Sequence, residues 1–194
     1  MHISLRRLRK AVFLDRDGTL IRFVDLLHNV KDLRLLPRTG EALAKLRQLG
    51  YLLVLVTNQP VIARGMATEE MIADIHTVLQ ERLRPYGAEL DALYVCPHHP
   101  NANVERYRVK CDCRKPEIGL ILQAARDHSI DLSKSFMIGD STRDTLAGNR
   151  AKLTTILVQT GEAGKDVWQF PGKPDHVATD LPSAVRYIKK HSRL

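Results

Sequence analysis

No stretch of this chain approaches the roughly 20 consecutive apolar residues that span a bilayer. The opening MHISLRRLRK is basic but lacks the apolar segment and small-residue cleavage site of a secretory leader. A cytoplasmic protein with no membrane partner is therefore expected. Aromatic residues make up only 5% of the chain, which leaves little to stack on nucleic-acid bases. Basic residues outnumber acidic ones 30 to 22, for a formal net charge of +8, but they are scattered, with local clusters only at 6–10 and 189–193. That balance favours a small anionic ligand, and no nucleic-acid partner is expected. Cysteine is rarer still. Cys96, Cys111 and Cys113 are the only three, an odd number that excludes a fully paired disulfide framework, and their confinement to one short segment points to a metal.

The rest of the sequence is that of an ordinary globular chain, 44% hydrophobic and 27% charged over 194 residues, enough for one domain spanning 1–194. A monomer is expected. Short β-branched runs at 11–15, 51–58, 90–97, 135–140 and 154–160 read as strands. Between them lie amphipathic helices. Over 68–86, Met71, Ile72, Ile75, Val78, Leu79 and Leu83 recur at helical spacing behind Glu69 and Glu70, which suit a helix N-terminus. Gly50 after Leu49 stops an earlier helix, and Ile118, Ile121, Leu122 and Ala125 supply a third apolar face. Alternation of this kind predicts an α/β fold: a Rossmann-like, doubly wound parallel sheet covered by helices on both sides. The one long irregular stretch is 96–116.

In such a sheet the ligand sits beyond the carboxyl ends of the strands, so a residue that ends a strand faces the site. AVFLDRDGTL ends its apolar run on Asp15 and Asp17, one residue apart, so that both carboxylates can face one pocket while Gly18 turns the backbone. A calcium loop counted from Asp15 would need Gly at Leu20 and Glu at Leu26, and fails at both. In the irregular stretch, Cys96-Pro-His98, twelve residues, then Cys111-Asp-Cys113 gives three thiolates and an imidazole. This is a closed tetrahedral set for a structural Zn²⁺, with His99 as a possible substitute ligand. The zinc loop at 96–113 would set the position of Arg114 and Lys115, which follow it directly.

The pattern at Asp15 resembles the first motif of the haloacid dehalogenase superfamily, and the other motifs follow in order: Thr57 in LVTNQ, Lys115 in CRKP, Asp140 and Asp144 in MIGDSTRD. The resemblance implies a fold of that type without a large cap and a phosphoester hydrolase. Asp15 would be the nucleophile, Asp17 the acid and base, and Thr57 and Lys115 the stabilisers of phosphoryl charge. Mg²⁺ would be held by Asp15, the Asp17 carbonyl and Asp140, while Asp144 is either outer support or a helix cap. FLDRDGT, VTNQ, IARG, CPHHP, CDCRKP and MIGD together resemble the heptose 1,7-bisphosphate 7-phosphatase family over roughly 11–160, which implies a sugar-phosphate substrate contacted by Asn58, Gln59, Arg64 and Arg114. The chain departs from that family's usual pattern at Pro60, Val61 and Ser141, and in the loop IRFVDLLHNV. Histidinol-phosphate phosphatases share the superfamily motifs but lack IARG, and a noncatalytic polyanion-binding module would not need the full motif set.

Overall fold

Strands whose residues are apolar at both parities have no face to turn to water, and here they lie in the centre of a sheet. The computed structural model describes residues 8–167 and 169–192; Arg6, Arg7 and Arg193 of the terminal basic clusters lie outside them. Six parallel strands, β1 (Ala11–Leu14), β2 (Leu52–Asn58), β3 (Ala92–Cys96), β4 (Phe136–Gly139), β5 (Thr154–Val158) and β6 (His176–Ala178), run in the order β3-β2-β1-β4-β5-β6. Successive strands β1 to β3 step one way and β4 to β6 the other, so the direction reverses between β1 and β4. Leu14 at the end of β1 is level with Leu55 of β2 and Ile138 of β4. The register therefore brings the residues that follow these strands to one crevice.

The two parities of the strands feed two cores. Val12, Leu14, Leu53, Leu55 and Ile138 pack under α1 (Thr39–Gln48), α3 (Glu69–Leu83) and α6 (Leu181–His191), whereas Ala11, Phe13, Val54, Val56 and Met137 pack under α4 (Gly119–His128) and α5 (Thr142–Arg150). A four-residue helix, α2 (Pro60–Ala63), follows β2 directly. Thr68 caps α3 through the Met71 amide, and the buried stripe of that helix is Ile72, Ile75, His76, Leu79 and Leu83. Met71 is exposed and Val78 only half-buried, because each lies about 100° around the helix from its stripe neighbour. Likewise Leu120, Ile121 and Ala124 carry the inner face of α4, and Leu122 is turned outward.

Three elements carry little sequence signal or stand beyond the pattern read from it. β6 has only three residues, and α5 offers a single stretch of Leu146-Ala147 in an otherwise polar helix, too little for a period. α6 was legible: Asp180 caps it through Ser183, Pro182 stands in its first turn, and Leu181, Ala184, Val185 and Ile188 recur at helical spacing. The segment 96–116 is irregular apart from one short turn at Glu105–Tyr107. It is tied down by Tyr107, whose hydroxyl donates to Glu69 at 2.6 Å, and by the Asn103 and Val104 amides, which donate to the Ala63 carbonyl. Among the described residues, no helix is long and apolar enough to cross a membrane.

Candidate active site and metal centre

Lys115 is 2% exposed, and an ammonium buried to that degree needs a partner for each proton. It has three: Asp15 Oδ1 at 2.6 Å, Asp144 Oδ1 at 2.6 Å and the Val56 carbonyl at 2.7 Å. Burial alone would lower its pKa, but Asp144 and Asp15 outweigh that and hold it above the ordinary lysine value. Asn58 fixes the Lys115 backbone, donating to its carbonyl and accepting from its amide, each at 3.0 Å. Asn58 lines the cleft, with both ends of its amide engaged with the chain itself.

Asp15, Asp140 and Asp144 bring carboxylate oxygens within 4.8 Å of one another. Burial, reinforced by Asp15 and Asp144, pushes Asp140 up to about 9. Burial also lifts Asp144, to about 6, against the opposing pull of Lys115. Three crowded hard oxygen donors of this kind fit a divalent cation such as Mg²⁺, whose charge would offset their repulsion. Asp144 is also the third residue of α5, where it forms a capping box with Ser141, so it serves as cap and as cluster member together. Gly139 permits this, since a Cβ there would collide with the Asp144 side chain. Gly18, at φ +76°, likewise lies against Asp140 and Gly161 where no side chain fits.

Asp17 lines the same cleft as Asp15, but its carboxylate joins a different set of partners. Arg16, wholly buried, reaches both its oxygens at 3.0–3.2 Å, and Gln59 Nε2 donates to Oδ2 at 2.9 Å. Burial raises the pKa of Asp17 despite Arg16. Gln59 donates also to Thr57 Oγ1 at 2.8 Å and accepts from Arg16 Nη2 at 2.7 Å, which uses its amide fully. Arg16 Nη1 lies 3.2 Å from His76 Nε2, and burial together with Arg16 pushes His76 down to about 3, so the ring is neutral and accepts this bond. Neither Arg16 nor His76 was singled out from the sequence. His76 occupies an apolar slot of the α3 stripe, which is the signal that was there to read.

Cys96, His98, Cys111 and Cys113 converge, with donor atoms 3.1–3.9 Å apart in the pairs that touch. The sulfurs are well beyond the ~2.05 Å of a disulfide. Burial lifts the Cys96 thiol to about 11 and raises Cys113 as well. Three soft sulfurs and one imidazole nitrogen around a common point fit Zn²⁺ with no position left open. His99 does not join them; its Nδ1 accepts from the Asn101 amide. Arg114 Nη1 donates back to the His98 carbonyl of the loop at 3.1 Å, and the next residue, Lys115, enters the Asp15 cleft.

Arg114 and Arg64 are not in the cleft around Asp15. Arg114 lines an adjoining cleft, and Arg64 is exposed just beyond α2, lining neither, although its charge reaches His99. Phe23, Val24, Asp25, Leu26 and Leu27, from the loop after β1, close one side of the Asp15 cleft, whose volume is about 160 Å³.

A parallel sheet with an aspartate-lysine-aspartate cluster at its switch point defines the class of haloacid dehalogenase-type hydrolases, and a family model described as "HAD-hyrolase-like" matches residues 112–184. Two curated relatives named D-glycero-beta-D-manno-heptose-1,7-bisphosphate 7-phosphatase extend the match across the chain. That of Photorhabdus laumondii is 43% identical, covering 93% of this chain and 97% of its own. That of Haemophilus ducreyi is 45% identical, covering 93% and 98%. Among solved structures, a D,D-heptose 1,7-bisphosphate phosphatase from B. bronchiseptica, complexed with magnesium and phosphate, superposes with a TM-score of 0.82 at 33% identity, covering 93% of this chain and 98% of that one. The chain belongs to the heptose-1,7-bisphosphate 7-phosphatase family of phosphoric monoester hydrolases.

Proposed function

We propose that this enzyme removes the C7 phosphate of D-glycero-D-manno-heptose 1,7-bisphosphate, with the β anomer named for its relatives as the first to assay. The observation that carries the reading is the Asp15–Lys115–Asp144 cluster with Asp140 at the switch point of the sheet. Asp15 attacks phosphorus, forming an aspartyl-phosphate as the bond from phosphorus to the C7 oxygen breaks. Asp17, whose raised pKa favours the acid form, gives its proton to the departing oxygen. Water then attacks the same phosphorus while the Asp17 carboxylate takes its proton, releasing inorganic phosphate and restoring both aspartates. Lys115 and the Thr57 hydroxyl offset charge on the non-bridging oxygens. Mg²⁺ held by Asp15, Asp140 and the Asp17 carbonyl, with Asp144 behind them, would supply the charge neutralisation that lets a phosphate approach a carboxylate.

The zinc set is structural in this reading, replacing packing that a polar loop lacks. Asn58 and Gln59 position the Lys115 backbone and Asp17 at the substrate's edge, and Arg114 meets its anionic groups from the adjoining cleft, while Arg64, which lines neither cleft, adds only longer-range positive charge. The chain acts as one domain and as a monomer, in the cytoplasm, on a small sugar phosphate, without a nucleic-acid or membrane partner.

Phosphorus NMR of the reaction with Mg²⁺ tests this directly. Loss of the C7 resonance with the C1 phosphate retained, and kcat/KM above that for histidinol phosphate, is the expected result. Loss from C1, or faster turnover of histidinol phosphate, overturns the substrate assignment.

A further inference from the structure

The cleft around Asp15 adjoins a larger one of about 370 Å³, and among the described residues only two line both: Lys115 and Arg143. Lys115 is fully occupied by its three acceptors. Arg143, on the first turn of α5, is not. Its guanidinium stacks on Phe170 with Cζ 4.9 Å from the ring centre, its Nη2 is 3.8 Å from Asp166 Oδ2, and its buried Nε has no hydrogen-bond partner among the described residues. Asp166 is itself heavily engaged, accepting from Ser141 Oγ at 2.5 Å and from the Thr142 amide and hydroxyl at 2.7 and 2.8 Å. The larger cleft is otherwise cationic, with Lys110 and Arg114 on its walls, and its one acidic residue, Glu117, is paired with Arg150 at 2.8 Å. A group carrying negative charge is the chemical complement of such a surface.

We propose that Arg143 is a specificity-determining residue which, with Arg114, holds the second phosphate of a sugar bisphosphate in this adjoining cleft while the first meets Asp15. This rests on the bisphosphate reading above. Ser141, the residue directly after the metal-binding Asp140, does not take that role, since its hydroxyl is committed to Asp166 and to the Arg143 amide at 3.0 Å. Planar, forked and always charged, the Arg143 guanidinium suits a phosphate, and its stack on Phe170 holds the plane in place.

The experiment compares kcat/KM for heptose 1,7-bisphosphate with that for heptose 7-phosphate in the wild type, Arg143→Ala, Arg143→Met and Arg143→Lys. Arg143→Ala should reduce the bisphosphate-to-monophosphate ratio by roughly 10- to 100-fold, the scale of one charge-assisted contact, chiefly through KM. Arg143→Met keeps the aliphatic stem over Phe170 and should show the same loss if the alanine variant folds poorly, and Arg143→Lys should recover part of it. A wild type that prefers the bisphosphate together with Ala and Met variants that keep the preference within twofold overturns this inference alone. A wild type that hydrolyses both substrates equally overturns the bisphosphate reading and the inference with it.

Discussion

Asp15 is held by the ammonium of Lys115 and crowded by two further carboxylates, so its substitution separates chemistry from stability. In Asp15→Asn the proposed nucleophile is lost, and kcat/KM should fall by about 10⁴-fold or more. Lys115 keeps Asp144 as a partner, and the repulsion that Asp15 exerts on Asp140 and Asp144 is relieved. The melting temperature of Asp15→Asn should therefore match or exceed that of the wild type; turnover by this variant at near wild-type rate removes Asp15 from its role. His76 gives the opposite separation, stability without chemistry. Burial and Arg16 depress its pKa to about 3 from 6.5, so below pH 6.5 the unfolded chain takes up a proton that the folded chain refuses. The stability it contributes is present above pH 6.5 and lost as pH falls toward 3, at about 1.4 kcal/mol per pH unit. Urea unfolding at pH 7 and pH 5 should show the wild type losing about 2 kcal/mol more than His76→Gln, and equal losses would refute the neutral, buried imidazole.

At the scale of elements, the loop that carries the Cys/His cluster matters for the site because covalent continuity leaves it no choice. Arg114 and Lys115 leave Cys113 directly, and the Lys115 backbone is received by Asn58 at the end of β2. One strap is thus pinned at two points, by the Cys/His cluster and by the sheet. Cys111→Ser should lower zinc below the one ion per chain expected by elemental analysis, lower the melting temperature, and reduce kcat/KM by about tenfold or more as Lys115 loses its fixed place. A zinc-free protein with full activity would break the link between strap and catalysis. The start of α5 is the second such junction, since its capping box draws Asp144 over Gly139 and toward Lys115.

For the molecule as a whole, the excess of base over acid, 30 to 22, acts at long range on the proposed substrate, which carries two phosphates. Adding salt screens that attraction over about 8–10 Å at physiological strength and less beyond it. KM for the bisphosphate should accordingly rise more steeply between about 0.05 and 0.5 M NaCl than KM for the monophosphate, with kcat little changed. Parallel salt curves for the two substrates would show that the net charge plays no part.

Much of this was written locally in the chain. Strand runs apolar at both parities could only be central strands, Asp15 and Asp17 sat where such a strand ends, and CPH with CDC carried the ligand types and spacing of a zinc set, because each of these signals is short-range and repeats a simple period or a fixed chemistry. Other facts belong to the packing. That Asp144 joins Asp15 and Asp140, that Arg16 is buried against His76 and holds Asp17, and that Arg143 rather than Arg64 stands between two clefts depend on residues far apart in sequence. Their positions follow from the strand order and from which helix face lies down on the sheet, and an isolated arginine or aspartate carries no mark of either. Local periodicity determined the elements and the chemistry they bear, whereas the partners of each charged group were decided only when burial forced every buried charge to find one.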